Sequence, residues 1–291
     1  MIDSTTQPRS APALLALAVV LFASVWPAMK FGLAESSPVW FATGRAGLSA
    51  VAGFALVAAL GRLRLPGRWD WPIVLSIGGL QLGAYFGVCL VALEQLPAGR
   101  SALLGYTTPI WILPLAWPLL GERPRGRDLV GLLVGLTGIA VLVGPSLLDP
   151  ALLTGHVLML IGSGLWAVAI LHTRGHRWHL TPLELLPWQM LVATLLLIPF
   201  ALWHEPQGGI APTPTALLPL AYVGLLAGPI ASWASLSAAR ALPASMTSLG
   251  FLMTPVLGVI ISALWLGEAI GLDMLIGGAL ILTGVGVTLR R

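Results

Sequence analysis

The sequence predicts an all-α integral membrane protein, with ten transmembrane helices forming two inverted five-helix repeats around a central cavity. Three observations predict it. The chain of 291 residues is 57% hydrophobic and 9% charged, with a mean hydropathy of +0.92, whereas a water-soluble domain carries about a quarter charged residues. Ten apolar runs follow one another with little between them, and about 20 apolar residues cross a hydrocarbon core of roughly 30 Å. Finally, the stretch LPAGRSALLGYTTPIWILPLAWPLLGE from Leu96 returns without a gap, 146 residues later, as LPASMTSLGFLMTPVLGVIISALWLGE from Leu242.

The first run, near 13–33, is longer than the apolar core of a secretory signal and nine similar runs follow it, so it is expected to stay as a helix. It carries Trp26 and ends beside Lys30. The second, 38–60, opens on Pro38 and holds Arg45 about two turns inside. A cation within a span is costly and usually functional; Arg45 either binds a substrate carboxylate or pairs with Glu35 or Glu94. Lys30 and Arg100, at span ends, can instead extend to the interface. In the third run, 71–93, Gln81 and Tyr85 stand four apart on one helix face. The single cysteine, Cys89, is a small buried apolar side chain here and has no intrachain disulfide partner.

The fourth run, 98–120, contains Tyr106, Thr107, Thr108, Pro109 and Trp111, and two further prolines, Pro114 and Pro118. Proline removes a backbone hydrogen bond and collides with the carbonyl four residues back. Pro109 should therefore free the carbonyl of Gly105, and Pro255 in the ninth run, 244–266, that of Phe251. Thr108 and Thr254 place a hydroxyl beside each break. Each proline is either a hinge bordering the central path or a static kink. The fifth run, 128–148, has Gly131, Gly135 and Gly138 on a close-packing face, and the tenth, 270–289, has Gly277, Gly278, Gly284 and Gly286. These faces pack within the chain or form a homodimer seam.

Between them, the sixth run, 155–172, places Trp166 where the first has Trp26. The seventh, 183–203, follows Pro182, which matches Pro38 and sets Gln189 opposite Arg45 in the alignment of the halves. The eighth, 216–239, offers Ser232 and Trp233. The chain thus divides into five-helix halves, 13–148 and 155–289. Five is odd, so the second half must enter the membrane upside down, which is a recurring plan of secondary transporters with a mid-membrane substrate site.

Of the 15 Lys and Arg residues, 12 fall on the side of the termini under this topology. Cytoplasmic loops collect such residues, so both termini should be cytoplasmic and the basic balance encodes orientation, with no nucleic-acid partner. No span has the clustered Arg and Lys that phosphate recognition needs. No acid sits in mid-span to carry a proton, which favours passive downhill export of a neutral or zwitterionic solute. Glu122 and Glu268 end the repeated segment as caps or as gate carboxylates. His172 and His176, in HTRGHRWH, have a metal-like spacing but no acid or cysteine beside them, so no metal is expected. No catalytic constellation or cofactor motif is present in the sequence, so the chain is read as neither an enzyme nor a cofactor binder.

The paired LPA, TP and LGE signatures, at Leu96–Ala98, Thr108–Pro109 and Leu120–Glu122 and again at Leu242–Ala244, Thr254–Pro255 and Leu266–Glu268, resemble the drug/metabolite transporter superfamily, specifically its EamA-type exporters. The Tyr- and Trp-bearing central spans are most similar to the YddG-type aromatic amino-acid exporters. That resemblance implies alternating-access export of aromatic and other neutral amino acids, or similar metabolites, across the inner membrane. An exporter of other metabolites or hydrophobic drugs, proton-coupled or not, is the alternative. The expected substrate-binding lining is Tyr85, Tyr106, Trp166, Gln81 and Thr108, joined by Trp26, Trp111, Trp233, Ser232, Thr254 and Arg45, with Pro109 and Pro255 as hinges. The expected partners are a small-molecule substrate and the bilayer, the protein acting as a monomer with a homodimer as the alternative.

Overall fold

The computed structural model describes residues 10–121, 123–174, 176–242 and 244–289. Helices account for nearly all of them, and the described residues contain no strand beyond one isolated bridge between Ser36 and Ile210. In chain order the helices are α1 (Ala11–Gly32), α2 (Pro38–Ala59), α3 (Trp71–Gln95), α4 (Ala98–Leu120) and α5 (Gly126–Val143). They continue as α6 (Pro150–Arg174), α7 (Pro182–His204), α8 (Pro214–Ala221 running on through Gly228–Ala241), α9 (Ala244–Leu266) and α10 (Leu272–Leu289). Among the described residues, eight helices are long and apolar enough to cross a membrane, and Gly250–Leu266 and Leu272–Val287 are shorter apolar helices.

Helix starts show why the chain turns where it does. Pro38, Pro150, Pro182 and Pro214 each open a helix, where a missing N–H costs nothing and the fixed φ suits the first turn. Thr181 and Glu184 form a capping box, the Glu184 carboxylate accepting from the Thr181 N–H at 2.8 Å. Asp149 Oδ1 accepts from the Ala151 N–H at 3.0 Å and starts α6 at Pro150, five residues ahead of the run expected from hydropathy alone. Gly121 and Gly267 end α4 and precede α10 at φ +71° and +68°, the left-handed conformation that a Cβ disfavours.

Two departures from regular helix sit inside the spans. Residues Ser76–Ala84 of α3 and Tyr222–Ala227 of α8 wind as π-helix, and their first residues are 146 apart, the spacing of the sequence repeat. The second is in α4, which breaks at Tyr106–Thr107 between Ala98–Gly105 and Thr108–Leu120. In α9, by contrast, Pro255 lies within one continuous helix. The two prolines that sequence equates thus produce different backbones.

Packing also follows the repeat. Helices α5 and α10 make the most extensive helix pair, α2 pairs with α7 and α4 with α9, while α1 against α8 and α9 is matched by α6 against α3 and α4. A Cβ on Gly138 would meet the Gly277 carbonyl at 2.7 Å, and one on Gly284 would meet the Gly131 carbonyl at 2.5 Å. Those two contacts exchange under the repeat, and their order along each chain shows that α5 and α10 run antiparallel. The glycine faces are used within the chain, backbone against backbone.

Gly138→Leu and Gly284→Leu should each lower stability by about 1–3 kcal/mol, as overpacking does. Gly126→Ala, where nothing lies within 4 Å, should be nearly silent. Thermal unfolding in detergent compares the three, and equal midpoints would show that the α5–α10 contact is unimportant.

Candidate functional site

The side chains expected to line a path fall into three groups. The first is an aromatic cluster. Tyr85, on α3, packs edge-on against Trp166 of α6 with ring centroids 4.6 Å apart and against Phe86 at 4.9 Å. Phe86 and Trp166 lie 6.2 Å apart, so the three rings are mutually in contact. Trp26, on α1, reaches the same place: a Cβ on Gly105 would meet Trp26 Cζ2 at 2.8 Å and the Tyr85 hydroxyl at 3.1 Å. Glycine at 105 is what admits both side chains. The cluster also explains the equivalence of Trp26 and Trp166, since one from each half converges on Tyr85.

The second group surrounds the break in α4. The missing backbone bonds are replaced by hydroxyls, as buried backbone in an apolar medium requires. Thr107 Oγ1 donates to Leu104 O at 2.6 Å, Thr108 Oγ1 to Gly105 O at 3.3 Å, and Ser163 Oγ of α6 to Leu104 O at 2.9 Å. The carbonyl that Pro109 frees is therefore met by the adjacent threonine. Tyr106 is half-buried at this break, close to Thr254 of α9. Thr254 is buried, at 1% exposed. Trp111 is half-buried beside Gly164 of α6, with an unpartnered Nε1.

The third group is Arg45. It is 5% exposed on α2, and its guanidinium lies 3.5 Å from the centroid of the Phe86 ring. Neither Glu35 nor Glu94 pairs with it: Glu35 accepts from the Thr213 hydroxyl, and Arg45 takes part in no ion pair among the described residues. Its Nε and Nη2 are buried without partners. Gln189, its counterpart in the other half, is also buried, on α7.

Other expected residues do not join these groups. Trp233 is 60% exposed and stands apart from the aromatic cluster. Gln81 is half-buried within the π segment of α3. The Ser232 side chain lies outside the described residues, as does Glu122. Two cavities, of about 380 and 420 Å³, lie elsewhere. One is an apolar groove with Phe31, Leu218, Tyr222 and Trp265 among its walls, and the other is a polar pocket with Glu35, Glu94, His204 and Glu205 among its walls. Neither is lined by the expected residues.

Charged side chains at span ends turn out to be fixed. Glu268 accepts from the Ala98 and Gly99 N–H groups at 2.6 and 3.0 Å, capping α4 from the opposite half. Glu205 caps α2 in the same way through the Val39 N–H at 3.0 Å. Lys30 donates to the Leu93 and Glu94 carbonyls at the end of α3, at 2.6 and 2.9 Å. Arg100 pairs with Asp273 at 2.5 Å and also donates to Leu142 O. Lys30 and Arg100 therefore brace helix ends and do not simply extend to the interface. Phe86 is the residue that sequence reading passed over. Its only signal was adjacency to Tyr85, which in an apolar span distinguishes little.

The chain matches the family model of the EamA-like transporter family over residues 9–144 and 153–290. It is 27% identical to the uncharacterized transporter YvbV of Bacillus subtilis, covering 94% of this chain and 89% of that one. It is 32% identical to a probable terminal-alkyne amino-acid exporter of Streptantibioticus cattleyicolor, with 95% and 92% covered. A solved crystal structure, 23% identical, superposes with a TM-score of 0.66 over 97% of this chain and 99% of the other, a likeness of fold.

If the aromatic contact matters energetically, a double-mutant cycle of Tyr85→Leu and Trp166→Leu, read by thermal unfolding, should return a coupling of about 1 kcal/mol. Additive effects would remove the cluster as an energetic unit.

Proposed function

The chain belongs to the EamA-like transporter family and is a multi-pass membrane transporter, and from this we propose that it exports aromatic and other neutral amino acids, or metabolites like them, across the cytoplasmic membrane, as YddG-type exporters do. The observation that carries the substrate class is the contact of Tyr85, Phe86 and Trp166 beside the broken backbone of α4. Aromatic rings set among a few hydroxyls suit a ligand with an apolar body and polar handles. The amino-acid exporter among the relatives supports the same class.

Movement follows from the two halves, 13–148 and 155–289, taken as inverted copies that exchange conformations. The antiparallel α5–α10 contact and the reciprocal helix pairs support that arrangement. In this reading both termini are cytoplasmic, Pro109 and Pro255 are the flexing points, and the break at Tyr106–Thr107 makes the first half the more pliable. The expected lining, including Gln81, Thr108, Trp26, Trp111, Thr254 and Arg45, borders the path between them. No Asp or Glu falls in the middle of a span, so the solute moves down its own gradient. The protein works as a monomer, since its glycine faces are consumed internally.

A second reading, export of hydrophobic drugs or other metabolites, is favoured by the apolar groove of about 380 Å³ between α1, α8 and Trp265 of α9. Proteoliposomes distinguish the two. Vesicles loaded with tryptophan or phenylalanine should release it saturably and faster than protein-free vesicles, independently of a pH gradient. Tyr85→Ala and Tyr106→Ala should each weaken apparent affinity roughly tenfold, the equivalent of one aromatic contact. Absence of saturable amino-acid release, with hydrophobic cations carried instead, would select the second reading.

A further inference from the structure

Arg45 is a cation for which the described residues supply no counter-charge. It lies eight residues into α2, about 10 Å from the helix start at 1.5 Å per residue, and is 5% exposed. A buried charge with no partner is strongly destabilising, and such groups are normally paired or bonded. The other two cations expected on that side of the membrane obey this rule. Lys30 has two carbonyls, and Arg100 has Asp273 and a carbonyl. Three carboxylates on that side are committed as well, Glu35 to Thr213, Glu205 to the start of α2, and Glu268 to the start of α4, and Glu94 makes no ion pair with Arg45.

The geometry of Arg45 shows what is missing. The Arg45 Cζ lies over the Phe86 ring, 3.5 Å from its centroid, a cation–π contact. It satisfies no N–H group. Nε and Nη2, adjacent donors on one edge of the fork, are buried with nothing to donate to. Two parallel donors on a rigid plane match the two oxygens of a carboxylate. A single cation matches a single negative charge, which separates a carboxylate from a phosphate dianion. The face of Phe86 leads on to the ring of Trp166 at 6.2 Å and through it to Tyr85 at 4.6 Å, so an acidic group held at Arg45 leaves an attached aryl or apolar body against aromatic walls.

We propose that Arg45, held on Phe86, is the anchor for the carboxylate of the transported molecule, and that the substrates are organic monocarboxylates with an aryl or apolar body, amino acids among them. The inference rests on the transport reading given above and narrows it to molecules that carry a free carboxylate. Gln189, the amide in the equivalent place of the other half, supplies no charge, so the anchor is one-sided.

The test uses purified full-length protein in detergent and in liposomes, with phenylalanine, 3-phenylpropionate, phenylalaninamide and phenethylamine as probes. Thermal stabilisation and inhibition of tryptophan efflux should be seen with the first two, and on the order of 100-fold more weakly with the two that lack a carboxylate. Arg45→Met should abolish that discrimination by lowering the potency of phenylalanine and 3-phenylpropionate to that of the probes without a carboxylate, and Arg45→Lys should restore part of it. Equal potency of phenylalanine and phenylalaninamide on the wild-type protein overturns the anchor and leaves amino-acid export standing. That comparison decides the matter even if Arg45→Met fails to fold. Conversely, Arg45-dependent binding of 3-phenylpropionate with no binding or efflux of any amino acid upholds the anchor and removes the amino-acid reading.

Discussion

A chain dissolved in hydrocarbon must satisfy its backbone polar groups from within, because no water is available to them. Most of the specific chemistry in this protein answers that demand. At the broken fourth helix, Thr107, Thr108 and Ser163 take up carbonyls at Leu104 and Gly105. At helix starts, Glu205 and Glu268 accept the exposed N–H groups of α2 and α4. At the end of α3, the Lys30 ammonium covers two carbonyls. Polar side chains are scarce in a chain that is 9% charged, so committing them to these duties leaves few for solute. Arg45 stands out against that background because nothing in the backbone asks for it.

The same demand ties the halves together. Glu268 belongs to the second half and caps a helix of the first, and Glu205 does likewise for α2. Asp70, from the first half, accepts from the His179 N–H ahead of α7 at 2.9 Å. These bonds cross the boundary between halves at helix ends, where a rocking motion of one half against the other would make or break them. Mid-helix contacts between halves are of another kind, close glycine packing of α5 on α10, which tolerates rotation but not separation.

Much of this was legible in the sequence. Hydropathy located the helices, and the glycines of the fifth and tenth runs marked close-packing faces, although not that the two faces meet each other. The recurrence of LPA and LGE gave two matching labels. It did not show that the Glu of one copy caps the Ala of the other, because a sequence repeat shows likeness and not contact. The π segments carry no composition of their own, since glycine and leucine serve α and π winding equally. Thr-Pro falls within a span twice, at Thr108-Pro109 and Thr254-Pro255, and breaks the helix once, because the neighbours of Pro109, and not the dipeptide, decide whether carbonyls find hydroxyls. Trp233 looked like a lining residue because its run is apolar on all sides, which leaves no periodicity to say which face is outward.

The π windings at Ser76 and Tyr222 also carry information about ancestry. A π turn arises when a helix accommodates one extra residue, and two such accommodations begin at equivalent places in the two copies. Inheritance from the unit that was copied accounts for both with a single event, so the insertion is older than the gene duplication. The severed helix at Tyr106 has no twin in α9, so the copies share the bulge and not the break.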